Sequence, residues 1–156
     1  MVRRTEMKSL FLAAALTLAA FGYSNAQDAI TVTDVWVREV PPTSTVTAVY
    51  MNIANSGSED DRLTGVSSPA ADKAEIHVSS VDDKGVAKMK MVDGVSLPAG
   101  GKTELKPGGY HIMLIGLKEP LAGKENIEIV LDFQKAGQVT VNAAVKGPDK
   151  QAEECH

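Results

Sequence analysis

Residues 127–145 run Ile127-Glu128-Ile129-Val130-Leu131-Asp132-Phe133-Gln134-Lys135-Ala136-Gly137-Gln138-Val139-Thr140-Val141-Asn142-Ala143-Ala144-Val145. In the first half Ile127, Ile129, Leu131 and Phe133 share one face, with Glu128 and Asp132 on the other. In the second half Val139, Val141 and Ala143 oppose Thr140 and Asn142. A period of two marks a half-buried strand, so this stretch predicts two strands separated by the turn signal Lys135-Ala136-Gly137.

Working outward, the same signature recurs. Clear strand runs are Ile30–Val37, Val46–Ile53, Lys73–Val78, Val86–Val92 and Tyr110–Ile115, with weaker ones at Arg62–Val66 and Lys102–Leu105. Turn residues divide them: Pro41-Pro42, Asn55-Ser56-Gly57, Asp82-Asp83-Lys84-Gly85, Pro98-Ala99-Gly100-Gly101 and Pro107-Gly108-Gly109. Tyr110–Ile115 is nearly apolar on both faces and reads as a central strand. These spacings predict an all-β sandwich of about seven to nine strands, arranged as two packed antiparallel sheets.

The first 26 residues read as an export leader. Arg3, Arg4 and Lys8 make a basic start, Leu10 to Ala20 an apolar run, and Ser24-Asn25-Ala26 a small-residue cleavage site. The apolar run is shorter than the ~20 residues that span a bilayer. Glu6 sits where a twin-arginine signal wants an apolar residue, so the general secretory route is expected. Cleavage leaves Gln27 first, a domain over residues 27–146, and a polar tail at 147–156. No cysteine stands near the cleavage point to carry a lipid, so no membrane anchor is expected.

The leader takes three of the chain's 16 basic residues and one of its 20 acidic ones, which leaves a net charge of −6. That argues against nucleic acid or an anionic membrane as partner. The one cysteine, Cys155, excludes an internal disulfide framework. It also stands outside any His/Met constellation, which counts against a blue-copper electron carrier. No nucleophile–base constellation is visible, so an enzyme is the least expected class. A metal-free interaction sandwich is compatible with the strand pattern alone.

The candidate chemistry lies between positions 77 and 113. Two of the three histidines, His77 and His111, fall there with Met89, Met91 and Met113. Taken singly, a methionine is a core gap-filler and a histidine a packed polar residue. Together they form a soft donor set: thioethers suit Cu(I), imidazole suits copper and zinc, and neither suits Mg, Ca or Mn. His111-Ile112-Met113 places two donors on one strand face. Alternation sets His77 with Lys73 and Glu75 on a polar face, but Met89 with Ala87 and Met91 on an apolar one. A bulge or bend is then needed to aim both at one metal. Met91, two residues from Met89, could compete as a ligand, but core packing is expected for it, and also for Trp36 and Tyr50. The turn at Pro107-Gly108-Gly109 puts His111 at a strand end, near a rim of the sandwich.

His77, then Met89 after Val78 and ten further residues, then His111-Ile112-Met113 after twenty-one more, resembles the motif of the periplasmic copper chaperones of the PCu(A)C type. Only Val78 departs, standing where that family commonly has Met. Val35-Trp36-Val37-Arg38, Ala48-Val49-Tyr50-Met51, Ala74-Glu75-Ile76-His77 and Pro107-Gly108-Gly109-Tyr110 are similar too, over nearly the whole mature chain. The resemblance implies a cupredoxin-like Greek-key β-sandwich, monomeric and periplasmic, that binds one Cu(I) per chain through His77, Met89, His111 and Met113. It implies as partner a copper acceptor, either the binuclear copper site of cytochrome c oxidase or a thiol-bearing assembly protein. A copper buffer could use the same residues, and Cys155-His156 could hold a second metal.

Overall fold

A computed structural model describes residues 26–147. The expected leader and polar tail fall outside the described residues, apart from Ala26 and Gly147. After one helical turn at Ala26–Ala29 come ten strands: β1 (Ile30–Arg38), β2 (Val46–Asn55), β3 (Asp61–Ser67), β4 (Ala71–Val81), β5 (Ala87–Met91), β6 (Val95–Leu97), β7 (Lys102–Leu105), β8 (Tyr110–Leu117), β9 (Asn126–Phe133) and β10 (Gly137–Lys146).

Hydrogen bonding runs in the order β5-β4-β8-β2-β1-β10-β9-β3-β6, with β7 also on β2. β2 serves two neighbours along one edge, pairing residues 46–49 with β8 and 51–54 with β7. The far end of the path is tied back to β2 and β7. Asn55 donates to the Leu97 carbonyl at 2.9 Å, and Thr103 donates to the Ser96 carbonyl at 3.2 Å. The sheet therefore folds over on itself around an aliphatic core.

The all-β Greek-key sandwich is as expected, with three corrections. The two layers belong to one continuous hydrogen-bonded path. β1 and β10 pair in parallel, Trp36 with Ala144 through Arg38 with Lys146, so the sandwich is not purely antiparallel. β6 is a tenth strand that alternation could not announce, because three residues between Gly94 and Pro98 are too few to show a period.

The core follows the alternation closely. Ile127, Ile129, Leu131 and Phe133 are buried, and so are Val49, Leu63, Ile112 and Leu114. Burial of such side chains stabilises the fold by about 1.5–3 kcal/mol each. Ile76 on β4, Ile112 on β8 and Val49 on β2 all point into this core. Their neighbours in sequence must therefore project from the opposite, outer face of the sheet.

Candidate metal centre

Register brings the sequence-predicted donors to that outer face. On β4 and β8, His77 lies opposite His111, and Glu75 opposite Met113. On β4 and β5, Ser79 lies opposite Met89, and His77 opposite Met91. Directly opposed residues in an antiparallel ladder share a face, as do residues two apart on one strand. His77, Met89, His111 and Met113 thus project from one side of three adjacent strands, and Met91 joins them.

The expected bulge is not needed. Assigning Met89 to a core face assumed that β5 has one. β5 is an edge strand exposed at every residue, so its apolar side, Ala87, Met89 and Met91, looks outward. Met91 is 64% exposed and packs in no core, contrary to expectation. Trp36 and Tyr50 are buried, but apart from the aliphatic core cluster and against the site. Val78 pairs with Tyr110 and Lys90, on the face opposite His77. A methionine at position 78 would therefore project away from the other donors.

Two turns fix the strands in place. Lys106–Gly109 is closed by the Gly109 amide donating to the Lys106 carbonyl at 3.0 Å. Pro107 follows Lys106, and Gly108 has φ +82°. This is a type II turn, with proline where φ is preset and glycine where φ must be positive. The carbonyl of Gly109 then accepts from the Ser79 amide at 3.0 Å and from His111 Nδ1 at 3.1 Å. Across the sheet, Asp82 Oδ1 accepts from the Lys84 and Val86 amides at 3.0 Å each and closes the β4–β5 hairpin. The Val86 amide, with help from the Lys88 ammonium, holds the Asp82 carboxyl below the usual carboxylate range.

The histidines are oriented with their lone pairs free. Because Nδ1–H of His111 donates to Gly109, Nε2 keeps its lone pair. His77 Nε2 stands 2.9 Å from Glu75 Oε2, so its proton belongs there and the lone pair falls to Nδ1. Nδ1 of His77 is buried and has no hydrogen-bond partner. Leaving such an atom unpaired costs about 1–3 kcal/mol, and a metal ion would satisfy it. The His77 and His111 ring centroids are 5.8 Å apart. Beside them lies a cleft of about 350 Å³, lined by Arg38, Tyr50, Ser79, Met89, His111 and Met113 among others.

Donation from His77, then from Lys73 at 3.1 Å, holds the Glu75 carboxyl below its ordinary range. A lowered carboxyl pKa means that this contact stabilises the fold above the usual carboxylate range. The contribution is lost as pH falls through the lowered value. The rings of Trp36, Tyr50, His111 and His77 form a row across β1, β2, β8 and β4. Centroids are 4.5 Å apart for the first pair and 6.3 Å for Tyr50 and His111. Arg38 caps Tyr50 at 5.7 Å from its ring. Burial pushes the Tyr50 hydroxyl up while Arg38 pulls it the other way.

The donor chemistry is soft. Among the described residues no group of three or more His, Cys, Asp or Glu is placed to hold a metal. Beside the two imidazoles this face offers thioether sulfur, a donor type that suits Cu(I) and suits hard cations poorly.

Residues 30–145 match the family model described as "Putative lipoprotein LpqE-like". The chain belongs to the LpqE-like family. A relative, "Putative lipoprotein Lxx21020" of Leifsonia xyli subsp. xyli (strain CTCB07), is 32% identical over 119 residues, 76% of this chain and 70% of its own. Among solved structures, the copper-bound PCuAC domain from PmoF2 superposes with a TM-score of 0.65 at 29% identity. That match covers 77% of this chain and 94% of the domain. The solution structure of CuI-DR1885 from Deinococcus radiodurans gives 0.61 at 32% identity, covering 82% and 85%. These likenesses assign the LpqE-like chain the cupredoxin-like fold of PCuAC domains.

Glu75, Arg38 and the Gly109 carbonyl extend the site beyond the four expected donors. Glu75 was within reach of sequence reasoning, since it stands two residues from His77 on the same face. The Gly109 carbonyl is equally local, two residues before His111, whereas Arg38 arrives through the fold, from β1.

Proposed function

We propose that this LpqE-like protein is an exported copper carrier that binds one Cu(I) through His77, Met89, His111 and Met113 and releases it to an acceptor. The observation that carries this reading is the buried, unpartnered Nδ1 of His77 on the same face as His111 and two thioethers. Copper in the names of two solved relatives supports it.

The chain's own residues account for both holding and letting go. Gly109 and Glu75 fix the two imidazoles, so little orientation is lost when the metal binds. Neutral thioethers select Cu(I) without the grip of thiolates, so a thiolate-rich acceptor wins the metal by mass action. β5 is an open edge, which leaves room for a partner's ligands. An acceptor with two cysteines, such as a binuclear copper site of an oxidase or a thiol-bearing assembly protein, fits this chemistry. Export from a leader cleaved after Ala26 would leave an acidic protein, favouring a partner with a basic face and a salt-sensitive encounter.

The test is to mix copper-loaded protein with an apo-acceptor bearing two cysteines and to follow the metal on both. Transfer to the acceptor is expected. Metal that stays put would favour a copper buffer, and redox cycling without transfer would favour an electron carrier. A second measurement probes the support behind the ligands. Glu75→Gln is expected to lower Cu(I) affinity on the order of 10-fold or more, because the neutral amide holds the His77 N–H less firmly. Unchanged affinity would remove Glu75 from the site.

A further inference from the structure

We propose that Met91 is a transfer ligand, a fifth copper-binding side chain at the open edge of the site that takes the metal during exchange with a partner. This rests on the reading of His77, Met89, His111 and Met113 as the copper site.

Register carries the argument. Met91 is directly opposite His77, whereas Met89 is opposite Ser79, one step along the hairpin. Directly opposed residues hold their Cβ atoms about 4.5–5.5 Å apart, while diagonal neighbours stand about 7–8 Å apart. The thioether that backbone geometry offers most closely to His77 is therefore that of Met91. Exposure grades in the same direction. Met91 is 64% exposed and Met89 53%, while His77 and Met113 are half-buried and His111 is buried at 3%. Met89 lines the cleft with His111 and Met113, and Met91 stands outside it.

A lone exposed methionine needs no explanation in itself. This one shares a face with two imidazoles and two thioethers, on an edge strand that gives it no packing role. Its chemistry suits exchange. A neutral soft donor can join Cu(I) before another leaves, so copper remains Cu(I) and no proton moves at Met91. Where the final acceptor is a cysteine, its thiol proton goes to solvent as the thiolate binds. Met91 with His77 would thus hold the metal at the mouth while Met89, Met113 and His111 release it.

The experiment compares full-length wild type with Met91→Leu, an exposed change of similar volume. Cu(I) affinity is measured by competition with bicinchoninate, and transfer by the rate at which that chelator takes the metal. A labelled Met ε-methyl spectrum reports contact directly. The expected result is nearly unchanged affinity, transfer slowed several-fold, and a Met91 methyl signal that moves or broadens while the loaded protein exchanges copper with the chelator. An unchanged rate with an unmoved methyl signal would overturn the proposal. A loss of affinity as large as that of Met89→Leu would also overturn it, by making Met91 a permanent ligand. Failure of the underlying site looks different, because wild type itself would then hold no Cu(I).

Discussion

Met113→Leu is expected to weaken Cu(I) binding on the order of 100-fold or more, beyond what loss of a supporting contact costs. The same change should cost the fold less than about 1.5 kcal/mol, because leucine matches methionine in volume. Met113 is half-buried on the outer face, between Ala48 on β2 and Glu75 on β4. Met113 lines the cleft, so replacing it would remove a donor and little packing. A hundredfold loss corresponds to about 2.8 kcal/mol of binding free energy. Competition with bicinchoninate measures the affinity, and a thermal melt of the copper-free protein measures the fold. Wild-type affinity in this variant would remove Met113 from the ligand set.

The adjacent residue should behave in the opposite way. Ile112 is completely buried and points into the aliphatic core. Ile112→Ala is expected to destabilise the protein by about 2–5 kcal/mol through lost transfer free energy and the cavity left behind. The denaturation midpoint should fall with little change in slope. Copper affinity of the folded fraction should be retained. Since binding stabilises only the native state, added Cu(I) should restore apparent stability to Ile112→Ala, and much less so to Met113→Leu. Loss of copper binding without loss of stability in Ile112→Ala would mean that the two faces of β8 have been assigned the wrong way round.

These opposed outcomes show where sequence was enough. Alternation in Ile127–Phe133 named four core residues correctly, because β9 has one buried face and the period is unambiguous. The spacing from His77 to Met113 selected donors that register does bring to one face. The face of Met89 was misjudged because alternation tells which residues share a side and never which side is the core. For β5 that depends on edge position, a property of the whole sheet. The parallel pairing of β1 with β10 is likewise non-local, set by strands more than a hundred residues apart. Glu75 was in plain view beside His77. Arg38 reaches the site from β1, and nothing local to either residue predicts that meeting.

Trp36 is the chain's only tryptophan. It sits 4.5 Å from Tyr50, which in turn sits 6.3 Å from His111. The molecule therefore carries a single indole reporter two rings away from the place where cargo would rest. Buried among rings, with the Lys146 ammonium 5.4 Å over its face, that indole emits from one defined environment. Loading and unloading are expected to change its emission, which can be followed in unlabelled protein and in real time. An acceptor free of tryptophan would leave the signal wholly to the donor, so the course of a hand-over could be followed from one side alone.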